Sequence, residues 1–169
     1  MEDSSQKPFS QKGKNKPSKK AKASSARLFA VQGVYQMLAN QQSYNEVLED
    51  ILYKRVYEKV DDHLLVMPDG NLLKSIIKGV SDRLNDLNRL VLGYYNQDVG
   101  NNDHVTGEEK PEGLLFSVLL CGAYELMAHH DIDSPVIISD YINVGHAFFD
   151  RGETRLINGL LDKIATEIR

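Results

Sequence analysis

The chain has 169 residues, enough for one ordinary domain, and 41% of them are hydrophobic, so a core of normal size can be buried. Its single cysteine, Cys121, excludes an intrachain disulfide and a cysteine-based zinc site, and it fits a reducing compartment. No apolar run reaches the roughly 18 residues of a transmembrane helix, and the first residues lack the apolar stretch of a secretory signal. We therefore expect a cytoplasmic protein that makes no membrane contact.

The net charge of -4 conceals two parts of opposite charge. Residues 1–26 carry seven lysines and two acidic side chains, a charge of +5, which leaves 13 basic and 22 acidic side chains, a charge of -9, in residues 27–169. A basic arm on an acidic body is typical of proteins that contact nucleic acid, although a solubilising tail has the same composition. Residues 1–22 have too few apolar side chains to offset the entropy of ordering, so we predict a disordered arm at 1–22 and a folded domain at 23–169.

Apolar residues recur at helical spacing along the rest of the chain, and no stretch sustains the two-residue period of a strand. The spacing predicts helices over these segments: Ser24 or Ser25 to Asn40, 44–58, 71–94, 112–129, 134–149 and 153–168. The segment 112–129 is apolar on nearly all sides, so we expect a central, buried helix. Ser134-Pro135 is a strong helix start, with Ser134 as the N-cap. The segments 61–70 and 96–111 are connections, and the predicted fold class is all-α.

Few residues have the spacing of a catalytic, metal-binding or phosphate-binding site. Cys121 lies inside an apolar helix with no neighbouring base, so we interpret it as a buried, inert thiol. His129 and His130 point about 100° apart on a helix, which does not suit metal ligands on one face, and we expect two solvated histidines at a helix end. No glycine-rich phosphate loop is present. The sequence therefore predicts no catalytic activity, no cofactor and no metal site.

Three basic or aromatic residues are candidates for a binding surface. Arg27 and Tyr35 lie eight residues apart on the first helix, on roughly one side and beside the basic arm. Arg155 opens the last helix, where a cation opposes the helix dipole. A phosphate partner would explain that placement, and an ordinary solvated arginine would look the same.

Three segments, in this order and at these spacings, resemble the NusB family of transcription antitermination factors. They are ARLFAVQGVYQ at 26–36, GAYEL at 122–126 followed by DIDSPVIISD at 131–140, and LINGLLDK at 156–163. The resemblance covers 26–168, the whole predicted globular part. It implies a compact bundle of six to seven helices in two small subdomains.

The resemblance also implies a function and a set of contacts. The function is binding of the boxA element of ribosomal RNA leader transcripts together with the ribosomal protein NusE, within an RNA polymerase elongation complex that holds other Nus factors, and without catalysis. The family's RNA-contacting positions correspond here to Arg27, Tyr35, Arg155 and Leu156. The family's arginine cluster ahead of the first helix is replaced by Ala23, Ser24 and Ser25, and the candidates to substitute for it lie further out: Lys19, Lys20 and Lys22.

Other residues of the matched segments are interpreted as structural. Tyr124, in a buried helix, needs a hydrogen-bond partner for its hydroxyl. Glu125 beside it is also interpreted as structural. Asn158-Gly159 is interpreted as a point of close approach between helices.

Two alternatives stay open. One is a NusB-like protein-interaction module, perhaps homodimeric, with weak or no RNA binding, which the missing arginines favour. The other is a stand-alone counterpart of the N-terminal domain of ribosomal RNA cytosine methyltransferases. The chain ends at Arg169 without a glycine-rich cofactor loop or a catalytic cysteine, so we expect no methyl transfer.

Overall fold

Seven α-helices make up most of the described part of the chain, which in this computed structural model is 16–57, 59–60, 63–64, 66–100 and 110–169. They are α1 (Lys19–Asn40), α2 (Tyr44–Tyr53), α3 (Gly70–Asp82), α4 (Leu84–Gly100), α5 (Gly113–Ala128), α6 (Ser134–His146) and α7 (Arg151–Ile168). A 3-10 turn at Arg55–Tyr57 follows α2, and the short antiparallel strands β1 (Lys59–Val60) and β2 (His63–Leu64) precede α3. Two residues per strand do not alter the fold class, so the all-α prediction is confirmed.

Side-chain caps determine where the first helices begin. Ser18 accepts a hydrogen bond from the Ala21 N–H at 3.1 Å, and α1 therefore begins five residues before the expected Ser24. Ser43 and Glu46 form a reciprocal capping box at the start of α2. Of the predicted arm, residues 1–15 lie outside the described residues, whereas 19–22 are helical.

The prediction of one long helix over 71–94 is wrong, because the helix is interrupted at Arg83. The backbone of Arg83 has φ -115° and ψ 20°, outside the helical region, and it separates α3 from α4. The break lets α3 pack against α1 and α5 while α4 packs against α5 and α7. Helix α4 then runs to Gly100, into the segment predicted as a loop. Of the rest of that loop, 101–109 lies outside the described residues.

The last three helices lie close to their predicted positions. Helix α5 matches 112–129 to within a residue at each end. At the start of α6 the N-cap is Asp133 and Pro135 is the second helical residue, so Ser134 as N-cap is wrong by one position. Helix α7 begins at Arg151, two residues earlier than predicted.

Helix α5 is the centre of the molecule, as its all-round apolar pattern predicts. Its residues from Ser117 to Leu126 are buried, and it contacts α1, α3, α4, α6 and α7. Helices α1, α2 and α3 pack together as one subdomain, and α4, α6 and α7 complete the second around α5, with one continuous core between them. In the described segments no helix is both long enough and apolar enough to span a membrane.

Two glycines allow the helices to approach closely. A Cβ on Gly79 would lie 1.9 Å from the ring of Tyr124, and one on Gly122 would lie 2.8 Å from Leu161. At Gly159, by contrast, a Cβ would have open space around it. The close helix contact expected at Asn158-Gly159 is therefore wrong.

Candidate nucleic-acid interface

The first turn of α1 carries three exposed lysines, Lys19, Lys20 and Lys22, which we call the α1 lysines. No acidic residue lies in that turn, so the lysines add to the positive end of the helix dipole. The turn is held in place by two contacts: the Asp69 N–H donates to the Lys22 carbonyl at 3.0 Å, and Ser25 Oγ donates to the Val66 carbonyl at 2.5 Å. The three predicted residues therefore form a fixed electropositive end that attracts anions.

Arg27 lies inside the protein, and its predicted role as an RNA contact is corrected here. Its side chain is 3% exposed. Its guanidinium donates to both carboxylate oxygens of Glu125, at 2.7 and 2.9 Å, and to Asp140 Oδ2 at 2.5 Å. These contacts and its burial hold the guanidinium inside the protein, away from a phosphate at the surface.

Glu125 is the centre of this buried network and is itself fully buried. Besides Arg27 it accepts a hydrogen bond from the Tyr141 hydroxyl at 2.6 Å, and its Oε1 lies 3.0 Å from His129 Nδ1. Burial alone raises the pKa of a carboxyl, but the hydrogen bonds from His129 and Arg27 and the charge of Arg27 outweigh it, so the pKa of Glu125 is lowered. Burial, with the nearby Glu125 charge, raises the pKa of Tyr141 well above its ordinary range.

His129 is mostly buried, which contradicts the expectation of two solvated histidines. Its Nε2 lies 3.0 Å from Ser75 Oγ, and that hydroxyl lies 3.5 Å from the Tyr124 hydroxyl, so His129 links α5 to α3. His130 is exposed as expected. The structural interpretation of Tyr124 and Glu125 is confirmed by these contacts.

One sequence signal could have revealed the network. Glu125 is the only charged residue in the apolar helix α5, and a buried carboxylate requires a cationic partner. The partner is 98 residues away in the sequence, and Asp140 is 113 residues from the same arginine. The apolar pattern of α5 therefore predicts that Glu125 has a cationic partner, but it does not identify that partner as Arg27.

Tyr35 lines an open groove of about 400 Å³ between α1, α4 and the start of α5. Its side chain is 43% exposed, and its ring lies against Gly113, where a Cβ would be 3.1 Å from the ring. The groove is completed by residues that the sequence did not single out: Leu38, Ala39, Asn88, Lys110, Pro111 and Phe116. Asn88 Oδ1 is buried and has no hydrogen-bond partner among the described residues. The site thus offers aromatic rings and a cation to a ligand, while Asn88 Oδ1 lies beneath the surface.

Arg155 and Leu156 lie in the second turn of α7. Arg155 is exposed, whereas Leu156 is half-buried against the core. Near its end α6 packs against this part of α7, through Gly145 and Ile157, and α6 also packs against α1. Ala147, just after α6, lines a cavity together with the first turns of α1. Arg155 and the α1 lysines therefore lie on elements that meet at the end of α6. No hydrogen bond or ion pair in the described part of the chain joins Arg155 to Tyr35.

The residues interpreted as chemically inert are placed accordingly. Cys121 is fully buried in α5, and burial raises the pKa of its thiol well above the ordinary value. In the segments that the structure describes, no three His, Cys, Asp or Glu side chains are grouped as metal ligands.

Together the helix order, the central α5 and the internal Arg27–Glu125 pair define a class of seven-helix domain that presents an exposed tyrosine and a lysine-bearing helix end. A sequence model described as the NusB family matches residues 24–166. The chain therefore belongs to the NusB family.

Individual relatives agree with this assignment. The chain is 31% identical over 152 residues to the transcription antitermination protein NusB of Novosphingobium aromaticivorans, covering 89% of this chain and 96% of that protein. It is 28% identical to the protein of the same name from Rhizobium rhizogenes, covering 95% and 97%.

Two solved structures share the fold. NusB of T. maritima has a TM-score of 0.65 at 22% identity, covering 90% of this chain and 93% of that one. A crystal structure of the antitermination factors NusB and NusE in complex with dsRNA gives a TM-score of 0.66 at 12% identity, covering 85% and 96%. At these identities the similarity establishes the fold alone.

Proposed function

We propose that this protein is a transcription antitermination factor that binds a boxA-type element of ribosomal RNA leader transcripts together with the ribosomal protein NusE. It acts in the cytoplasm as a binding component of an RNA polymerase elongation complex that contains other Nus factors, and it performs no catalysis. Membership of the NusB family and the names of the relatives support this proposal. The solved complex of NusB with NusE and dsRNA supports both partners.

The observation that carries the proposal is the open groove at Tyr35. Sequence-specific RNA recognition targets unpaired bases, which stack on aromatic side chains and are read at their edges by hydrogen bonds. The exposed ring of Tyr35 supplies a stacking surface, and the side chain of Asn88 lines the same groove. Lys110 at the rim supplies a charge for the adjoining phosphate. These groups match one nucleotide of single-stranded RNA.

The α1 lysines and Arg155 supply the affinity that is independent of sequence. Each lies exposed with no described ion-pair partner, so its charge is available to phosphate. Lysines act as point charges and do not chelate phosphate as arginines do, so these contacts are expected to add affinity with little specificity. Leu156 follows Arg155, is half-buried against the core, and remains a proposed apolar contact for RNA.

A gel-shift titration tests the function. We expect this protein with NusE to bind a boxA RNA more tightly than a scrambled RNA of the same length and composition. Equal affinity for the two RNAs, with and without NusE, would contradict RNA recognition. Binding of NusE without any RNA preference would instead support the alternative of a protein-interaction module.

A further inference from the structure

A second cavity, separate from the Tyr35 groove, opens between the first turns of α1 and the end of α6. It has a volume of about 300 Å³, and we call it the α1–α6 groove. Its lining is Ala21, Ser24, Ser25, Leu28, Phe29, Val66, Asp140, Asn143, Val144 and Ala147. Most of this surface is apolar, and the α1 lysines flank Ala21, which lines it, along the sequence.

The one charged side chain in the lining, Asp140, is nearly buried and already accepts two hydrogen bonds. Asp140 Oδ2 accepts hydrogen bonds from Arg27 at 2.5 Å and from Ser24 at 3.3 Å. Little of the Asp140 carboxylate is therefore open to a ligand in the groove. The chemistry of the α1–α6 groove suits an uncharged apolar side chain, and an aromatic ring buries the most apolar surface for the fewest ordered bonds.

The chain carries one such side chain within reach. Among residues 1–15, which lie outside the described part, Phe9 is the single aromatic residue, and it follows Pro8 in an otherwise polar, lysine-rich sequence. Nine residues separate Phe9 from Ser18, a span of up to about 30 Å when extended. The groove begins at Ala21, one turn beyond Ser18, and extends only about 12 Å along α1. A tether of this length places its end in the groove at an effective concentration in the millimolar range.

From the groove, its apolar lining and this reach, we propose that Phe9 of the same chain docks in the α1–α6 groove and fastens the basic N-terminal segment to the folded domain. The docking does not depend on RNA, so it holds or fails independently of the function proposed above. It would keep the four lysines at 7, 12, 14 and 16 close to the α1 lysines instead of leaving them at a distance from the domain.

The dependence of binding on salt distinguishes Phe9 from an acidic segment of a partner protein as the occupant of the α1–α6 groove. The α1 lysines would attract an acidic partner segment, and salt would weaken that attraction. They repel the lysine-rich segment of this chain, and salt weakens the repulsion, because charges more than about 8 Å apart are largely screened at physiological ionic strength. Apolar burial is not weakened by salt. Docking of Phe9 is therefore expected to persist or increase as salt is raised.

The chain contains no tryptophan, so Phe9→Trp introduces a single fluorophore into the full-length protein. We expect its emission to be shifted to shorter wavelength, and its acrylamide quenching constant to be at least halved, relative to a free peptide of residues 1–18 with the same substitution. The shift should be independent of protein concentration and should persist between 50 mM and 500 mM salt. Emission and quenching equal to those of the free peptide would overturn the proposal. A shift that grows with protein concentration, or that salt abolishes, would overturn it as well.

A blocking variant assigns the shift to the groove. Ala147 is exposed at the rim, so Ala147→Phe fills the α1–α6 groove without entering the core. Ala128→Phe, at an exposed alanine ending α5, is the matched control. In the Phe9→Trp background, Ala147→Phe should abolish the shift and Ala128→Phe should leave it unchanged. Retention of the shift in the Ala147→Phe protein would refute docking at this groove.

Discussion

Replacement of Arg27 tests whether this residue is internal or part of an RNA-contacting surface. Arg27→Met leaves the fully buried Glu125 and the nearly buried Asp140 without their cation. Removing one member of a buried ion pair typically costs about 3–5 kcal/mol, because the remaining charge is left uncompensated. That is a large fraction of the roughly 5–15 kcal/mol that stabilises a domain, and it corresponds to a fall in Tm of roughly 10 °C at this size.

Two further variants separate loss of charge balance from loss of packing. Glu125→Gln keeps an acceptor for the Tyr141 hydroxyl but removes the charge that Arg27 balances. The double variant Arg27→Met with Glu125→Gln should therefore cost less than the sum of the single variants, with a coupling energy on the order of 1–3 kcal/mol. Arg155→Met, at an exposed arginine, is the matched control and should change stability by less than about 0.5 kcal/mol.

Urea unfolding followed by circular dichroism measures these free energies directly. Equal stability of Arg27→Met and Arg155→Met, or single effects that add without coupling, would contradict an internal role for Arg27. Full stability of Arg27→Met with a loss of RNA affinity would show instead that Arg27 lies on the RNA-contacting surface.

Three other predictions follow from the same contacts. The pKa of Glu125 is lowered in the folded state, so the charge of Glu125 stabilises the fold above its unfolded pKa of about 4.5. This stabilisation is lost as the pH falls through the lower folded pKa. Glu125→Gln should therefore make the free energy of unfolding, measured by urea titration between pH 6 and pH 3, depend less on pH. Gly79→Ala should destabilise the fold by about 1–3 kcal/mol, because its Cβ would overlap the Tyr124 ring, whereas Gly159→Ala should stabilise it by about 0.5–1 kcal/mol; thermal melts that rank the two variants in the opposite order would contradict this. Replacing all three α1 lysines with glutamine should reduce the slope of log affinity against log salt by about 2 for single-stranded RNA, and Lys74→Gln, at an exposed lysine on α3, should leave it unchanged.

The helices could be predicted because their signals are local. The all-apolar pattern of α5 and the proline near the start of α6 depend on neighbours a few residues apart. Helix α5 and the start of α6 lie within one residue of the prediction, whereas α6 ends at His146, three residues before the predicted end. The break at Arg83 could not be predicted in this way. The apolar stripe runs across it, and no glycine or proline lies within three residues of Arg83. The break allows α3 and α4 to pack against different helices.

The candidate site was predicted only in part, for a similar reason. Exposure of Tyr35, Arg155 and the α1 lysines agrees with the sequence interpretation. The burial of Arg27 does not, because its environment is set by residues about a hundred positions further along the chain. Lys110 and Asn88 could not be predicted from the sequence either, because the groove at Tyr35 is formed by three different parts of the fold: α1, α4 and the start of α5.

The affinity of the Tyr35→Ala protein for boxA RNA in the presence of NusE is the most direct test of the proposed RNA surface. Stacking of one base on an aromatic ring is worth about 1–3 kcal/mol, so affinity should fall between about 5-fold and 150-fold. Tyr53→Ala removes a tyrosine that is 77% exposed on α2, away from the groove, and should leave affinity unchanged. Equal affinities of the two variants would contradict the assignment of the Tyr35 groove as the place where this protein reads RNA.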